Sequence, residues 1–366
     1  MTGQNKYQKS LYLFTFILVV IGFLSLISAS SIIGAEDYHN PYYFVKKQLL
    51  QGLLGGLILA WIVSKINYQS FKKLSLILLI INLGLVGLCF IGPFKNPSNG
   101  SFRWLKLGPL SFQPSELLKI TYVLFLASIL SSLNTEKRRQ IFSSSFLIFL
   151  LSLGIVTGLL AKQPSTGTSI IIGLSSLVMY FIAGLSLKQI LVVLLVGGLG
   201  LTFLVIKTPY RMQRFTSFLS GANDPLGSGY QSQQSLIGIG SGGIIGVGFG
   251  NSLQRFNYLP ESHTDAIFSI IAEEFGFVGS IILLIIYLLF VSSGFKLAGT
   301  VSDLYGKYII IGVISGIGFQ AFINIASMCK LMPITGIPLP FISYGSSAMV
   351  ANFLGLGLIH NIAKQN

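Results

Sequence analysis

The sequence YLPESHTD at 258–265 places three side chains able to move protons, Glu261, His263 and Asp265, at alternate positions. An apolar run follows at once, so Asp265 falls at a water–lipid boundary. A carboxylate there is partly desolvated, and its pKa rises toward the range of a general base. The same position suits a helix N-cap, worth about 1 kcal/mol. Cationic side chains lie in the flanking stretches: Lys207, Arg211, Arg214 and Arg255, with Arg103, Lys106 and Lys162 elsewhere. Arginine forks match the oxygens of a diphosphate. Each one taken singly also suits headgroup anchoring. A carboxylate and several arginines at a membrane face together point to a lipid-diphosphate substrate.

Glu116 and Lys119 are three residues apart, so on a helix they share a face. Burying either by itself in hydrocarbon is costly, and a pair facing the interior is the expectation. Such a pair can serve a site or simply fix helix packing. Glu273 and Glu274 are adjacent and diverge by about 100° on a helix, so they cannot form a carboxylate dyad. His39, His263 and His360 are far apart, Cys89 and Cys329 sit in apolar stretches, and neither HExxH nor CxxC occurs. No His/Cys metal centre or disulfide framework is indicated.

These residues need a scaffold, and composition defines it. The chain has 366 residues, 52% hydrophobic and 9% charged, with mean hydropathy +0.77. A soluble domain carries about 25% charged residues. The composition excludes a soluble enzyme, a disordered chain and a disulfide scaffold. Ten apolar runs are legible, at roughly 11–33, 48–66, 73–92, 115–133, 141–161, 168–186, 188–207, 266–295, 306–328 and 339–362. Each is long enough, or nearly so, for a membrane helix of about 20 residues. The first run resembles a signal peptide near Ser28-Ala29-Ser30 but reads as an uncleaved anchor. The expected fold is an all-α polytopic membrane protein, a single domain over 1–366 of about ten spans. A long extracytoplasmic loop at 208–265 separates spans seven and eight. With both termini cytoplasmic, 12 of the 24 basic residues fall in the inner turns and N-terminus, so a raw count does not set the orientation. The tight inner turns, where charge acts most strongly, favour it. The net charge of +14 then reflects topology and a bound anion, not nucleic acid.

Gly238, Gly240 and Gly243 match GxGxxG. Without a preceding strand and a βαβ unit this is no dinucleotide site. Tight turns or a short re-entrant helix packed on protein are expected instead. The GxxxG pairs Gly52/Gly56, Gly154/Gly158 and Gly312/Gly316 are expected at close helix contacts. Prolines in IPLPFISYG (337–345) should break the start of the tenth span. That bend would bring Ser343 and Tyr344 to the cavity near Asp265, or be a structural kink.

Six longer stretches make the pattern specific: NGSFRWLKLGPLSFQPSELLK (99–119), AKQPSTGT (161–168), YRMQRFTSFL (210–219), DPLGSGYQSQQSLIGIGSGGIIGVGFGNSLQ (224–254), YLPESHTDAIFSIIAEEFGF (258–277) and MPITGIPLPFISYGSS (332–347). Together they resemble the SEDS family (shape, elongation, division and sporulation proteins) across essentially the whole chain. The resemblance implies a peptidoglycan glycosyltransferase that polymerises lipid II, releases undecaprenyl diphosphate and works beside a class B penicillin-binding protein in the division or elongation machinery. GFGNSLQRFNYLPE looks more like the division branch, FtsW; the short length and PITG lean toward the elongation branch, RodA; the division branch is favoured. The resemblance puts the catalytic aspartate on Asp265 and the buried pair on Glu116 and Lys119. Glu116, Lys119, Arg103, Lys162, Arg211, Arg214, Glu261, His263, Ser343 and Tyr344 are expected to contact substrate, and a divalent cation (Mg or Mn) could assist the diphosphate. Three departures stand out. Ser165 replaces a usual aspartate, Ala266 replaces an aromatic residue, and YGSSA has one glycine fewer. The first puts a cation-binding role in doubt. A lipid II flippase and an inactive scaffold are the competing readings. Acids concentrated toward one side and no evident internal repeat speak against a transporter.

Overall fold

The computed structural model describes residues 3–91, 95–98, 101–107, 110–132, 144–184, 186–220 and 228–366. Among them, ten helices follow the ten apolar runs: α1 (Gly3–Tyr38), α2 (Tyr43–Lys65), α3 (Tyr68–Leu88), α4 (Pro114–Ser132), α5 (Ser144–Lys162), α6 (Thr166–Ile182), α7 (Leu187–Lys207), α10 (Ile267–Thr300), α11 (Leu304–Met328) and α12 (Ser346–Gln365). Eight are long and apolar enough to cross a membrane, and α5 and α6 contribute shorter apolar helices. The protein is an all-α polytopic membrane bundle. The inner-turn cations Lys137, Arg138 and Arg139 lie outside the described residues, as does 221–227 of the long loop.

The bundle has two distinct ends. At one, Gln4 donates to the Ala363 carbonyl (2.9 Å), Asn361 to that of Val63 (2.7 Å), and Tyr68 and Gln69 to the Asp303 carboxylate (3.1 and 3.0 Å). Both chain termini therefore share this end. The connections at the other end build the cavity. Helix α11 is the buried centre, packed by α4, α6, α10 and α12, whereas α7 is almost wholly exposed. Close approach explains part of the small-residue pattern. A methyl group on Gly312 would lie 2.6 Å from both Val123 and Met179. The expectation fails at Gly154 and Gly158, where nothing approaches within 4 Å. These two glycines of α5 face no neighbour.

Two features depart from an all-helical reading. First, a three-stranded antiparallel sheet, β1 (Lys95–Ser98), β2 (Ser101–Leu107) and β3 (Leu110–Phe112), sits between α3 and α4. Its register pairs Leu105 with Phe112 and Lys106 with Ser111. Alternating apolar and polar residues in SFRWLKL carried that signal. Second, α12 begins at Ser346, not near 339, because Pro338 and Pro340 keep the preceding stretch irregular and non-helical. Gln48, in a π-helical segment of α2 (Gln48–Leu54), ties this stretch down. Its amide donates to Ser343 O (3.2 Å) and accepts from Gly345 N (3.1 Å).

The segment between α7 and α10 is ordered where described. Helices α8 (Pro209–Ser220) and α9 (Ser228–Ser241) are followed by turns through 266. The glycine run starts in the short helix α9, which holds Gly238 and Gly240, continues as turns from Gly242, and forms no nucleotide loop. It straps across a break in α10 at Gly276 (φ 66°). Phe277 and Val278 donate to Gly243 and Ile244 carbonyls, and Val247 and Gly248 donate to those of Glu273 and Glu274 (2.9–3.0 Å). A helix break leaves backbone groups unpaired, and these bonds satisfy them. Gly246 has φ 83°, and a methyl group there would meet the Glu274 carbonyl at 2.1 Å. The two adjacent acids serve this strap. Glu273 accepts from Ser241 (3.3 Å), Ser252, Leu253 N (3.1 Å) and Gln254 N (3.3 Å); Glu274 accepts from Ser28 and Gly250 N (3.0 Å).

Candidate active site

A polar cavity of about 890 Å³ opens at the end away from the termini. It is lined from the end of α1, the first half of α2, the sheet, the starts of α4, α6 and α12, helices α8 and α9, and the segments at 261–265 and 335–338. Apart from Gln51 these lie near helix ends or between the spans, so the bundle supplies the frame and its connections most of the chemistry.

Asp265 is 8% exposed and lines the cavity. Glu261 adopts φ 54°, and its carbonyl accepts from Thr264 N and Ala266 N, both at 3.1 Å. This turn delivers Asp265 to the wall. The carboxylate accepts from Thr264 Oγ1 (3.3 Å) and makes no cap to α10, whose N-cap is Ala266. Buried Asn324 of α11 holds the Asp265 carbonyl (2.7 Å) and that of Ile337 (2.8 Å), joining the acid to the proline segment. Burial raises the Asp265 pKa to about 7; the Glu261 charge adds to this and Arg214 opposes it. Desolvation disfavours the charged form, so this acid is poised to exchange a proton near neutrality.

Arg214 faces the same cavity. Its Nη1 donates to Ile334 O (2.8 Å), and its guanidinium lies 4.5 Å from the Tyr210 ring centre. A methyl group on Gly336 would be 3.7 Å from Asp265 Oδ2 and 3.9 Å from Arg214 Nη1, so acid and cation flank one bare backbone position. Arg103 of β2 also lines the cavity and donates to Gln163 O (2.9 Å) and Pro164 O (2.5 Å). Burial lowers its pKa, but an arginine remains charged. Glu116 lines the wall and pairs with Lys119 at 2.7 Å. Lys119 Nζ reaches Gln320 (2.5 Å), which donates to Pro338 O (2.8 Å). The ion pair thus braces the proline segment from below.

Glu261 and Tyr344 line the cavity as expected; Lys119 does not, and neither do four other expected contacts. Arg211 is 7% exposed and consumed by Ala161 O (2.6 Å), Thr166 (3.0 Å) and Thr208 (3.0 Å), so it ties the end of α5 to α6 and α8. Ser343 is buried and accepts from Leu339 N (2.8 Å). His263 packs on Phe44 and Tyr344, its ring centre 4.5 and 5.8 Å from theirs, and burial lowers its pKa. Lys162 is exposed at the end of α5, away from the lining. Lining residues missed in the sequence include Lys47, Gln51, Trp104, Gln113, Tyr210 and Gln231. Lys47 and Gln51 belong to an otherwise apolar span, and that contrast was the available signal.

Ser165 also lines the wall and donates to Thr168 (3.0 Å). Among the described residues no three His, Cys, Asp or Glu side chains converge, and Glu116 is already neutralised by Lys119.

A polytopic bundle with an acid and two guanidinium groups in a polar cavity at one end of its helices defines the class, an integral-membrane protein with a charged cavity. Its sequence identifies which one. Residues 8–366 match the cell cycle protein family of FtsW, RodA and SpoVE, and the chain belongs to that family. It is 36% identical to stage V sporulation protein E of Bacillus subtilis (97% of this chain, 96% of the relative) and 37% identical to the probable peptidoglycan glycosyltransferase FtsW of Coxiella burnetii (98% and 97%). A solved chain described under "Structural coordination of polymerization and crosslinking by a peptidoglycan synthase complex" superimposes with TM-score 0.78 at 29% identity, covering 97% of each chain.

Proposed function

We propose that this chain is a peptidoglycan glycosyltransferase that polymerises lipid II, in the role of the FtsW branch. The observation that carries the reading is Asp265, buried in a polar cavity beside Arg214 with its pKa lifted to about 7. The carboxylate takes the proton from the acceptor sugar's 4-hydroxyl. That oxygen attacks the donor's anomeric carbon, and the bond to the diphosphate breaks, its electron pair leaving with undecaprenyl diphosphate. An α-linked donor gives a β-1,4 bond by inversion. General-base help contributes about 10²–10⁴-fold. Arg214 and Arg103 oppose the charge developing on the leaving group, an electrostatic effect set before reaction. A relative named as a probable glycosyltransferase and a neighbour from a synthase complex support the activity and a transpeptidase partner, a class B penicillin-binding protein.

The position of the lysines, not their number, supports an orientation with both termini cytoplasmic. The end that holds the termini carries Lys6, Lys9, Lys65, Lys72, Lys73, Lys188, Lys296, Lys307 and Lys364 in short turns and tails. Lysines in tight turns act most strongly on topology, so we read this end as cytoplasmic and the cavity as facing outward. Charged residues buried within spans, Glu116, Lys119, Glu273 and Glu274, all lie in the cavity half. This supports an enzyme over a transporter, which needs polar groups through its full depth.

The test uses purified protein, alone and with its cognate transpeptidase, and labelled lipid II. Wild type should form polymer, and Asp265→Asn should lower the rate at least 100-fold. Lipid movement across vesicles without polymer would establish a flippase instead. No polymer under either condition would leave a scaffold.

A further inference from the structure

One wall of the cavity is unusually aromatic for a polar site. Tyr38 at the end of α1 and Tyr344 ahead of α12 both line it, and Phe44 packs edge-on against both rings, with centres 5.6 and 5.1 Å away. Tyr38 lies flat on Tyr43 (3.8 Å, 5° between planes), which fixes its ring while leaving it 47% exposed. Tyr344 N donates to His263 O (2.9 Å), so this wall is anchored two residues from Asp265. Lys47, whose Nζ lies 5.7 Å from the Tyr43 ring centre, and Gln51 four residues on along α2 also line the cavity, as does Trp104 from the sheet. An aromatic belt at the membrane interface would account for the more exposed Tyr42, which does not line the cavity. It does not account for rings held in fixed orientation along a polar pocket.

Rigid aromatic faces beside amides and a cation are the chemistry of a saccharide site. Apolar C–H faces of a pyranose lie on the ring, amides bond its hydroxyl and acetamido groups, and a lysine meets a carboxylate-bearing sugar. We infer that the Tyr38 and Tyr344 rings, backed by buried Phe44, are a subsite for the sugar rings of the glycan strand next to the bond being formed, with Lys47 and Gln51 as its polar contacts. This rests on the glycosyltransferase reading and assigns it a strand-holding surface separate from the diphosphate cations Arg214 and Arg103.

The chain has two tryptophans, Trp61 and Trp104, and Trp61 is 63% exposed away from the cavity lining. Trp61→Phe leaves Trp104 as reporter, and Asp265→Asn prevents turnover. In that double variant, a lipid-free tetrasaccharide of alternating N-acetylglucosamine and N-acetylmuramic acid should change Trp104 emission saturably. Adding Tyr38→Ala should weaken binding by about three- to tenfold, as expected for one aromatic contact, while Tyr38→Phe should keep it. With Tyr38→Ala alone, lipid II should still polymerise but into shorter strands. Absence of saturable binding in the double variant, or equal affinity with Tyr38→Ala, overturns the subsite. Wild-type polymerisation is read separately. Polymer without tetrasaccharide binding removes only the subsite, and binding without polymer removes the glycosyltransferase reading.

Discussion

Replacing Asp265 with asparagine should stabilise the protein at neutral and alkaline pH while abolishing its activity. The carboxyl pKa moves from an ordinary 3.8 to about 7 in the fold, chiefly through burial. The folded state therefore binds this proton more tightly than the unfolded state. The associated stability is fully present below about pH 4, is lost progressively as pH rises toward about 7, and then levels off. A shift of about three units corresponds to about 4 kcal/mol, an upper bound for the cost of holding the buried charge at pH 8. Near pH 5 about 1.5 kcal/mol of that is already lost. Asparagine keeps the shape and carries no charge. The gap between variant and wild type should widen by about 2–3 kcal/mol from pH 5 to pH 8, several degrees of Tm. Thermal unfolding of both proteins in one detergent, at matched ionic strength from pH 5 to 8, reads this directly. The difference between the two curves cancels every other titrating group. A variant no more stable than wild type at pH 8, or a gap that ignores pH, would refute the claim that this carboxylate is buried and uncompensated.

Polymerisation should rise about tenfold per pH unit below pH 7 and level off above it, because the base must be ionised; a rate flat from pH 5 to 8 in single-turnover assays would exclude Asp265 as the base. Lys119→Met strands the 3%-exposed Glu116 as an unpaired charge and should cost about 3–5 kcal/mol, most of it recovered by adding Glu116→Gln, as a double-mutant cycle on thermal stability will show. Gly246→Ala combines φ 83° with a 2.1 Å clash on the Glu274 carbonyl, so the strap should loosen by at least about 1–3 kcal/mol and hydrogen exchange at Phe277 and Val278 should accelerate.

Much of the architecture follows from composition. So few charges among so many apolar residues leave helices as the way to satisfy the backbone in lipid, and the ten runs mark them. The Glu116–Lys119 pair was equally legible, since three-residue spacing on one helix is local geometry. Asp265 could be singled out by its place before an apolar run, although the sequence left open whether it caps α10 or faces a cavity. Only the turn at Glu261 and the hold of Asn324 decide for the cavity. The arginines show the opposite limit. Arg211 and Arg214 are three residues apart on α8 with the same chemistry. Yet one is spent on the carbonyl of Ala161 and the other reaches the Asp265 wall, because what a side chain finds depends on segments 45 to 120 residues away in sequence. The glycine strap and the aromatic wall are likewise products of assembly. Hydrophobic periodicity records which surface a segment buries, whereas long-range polar contacts record which segments meet, and that is settled when the bundle closes.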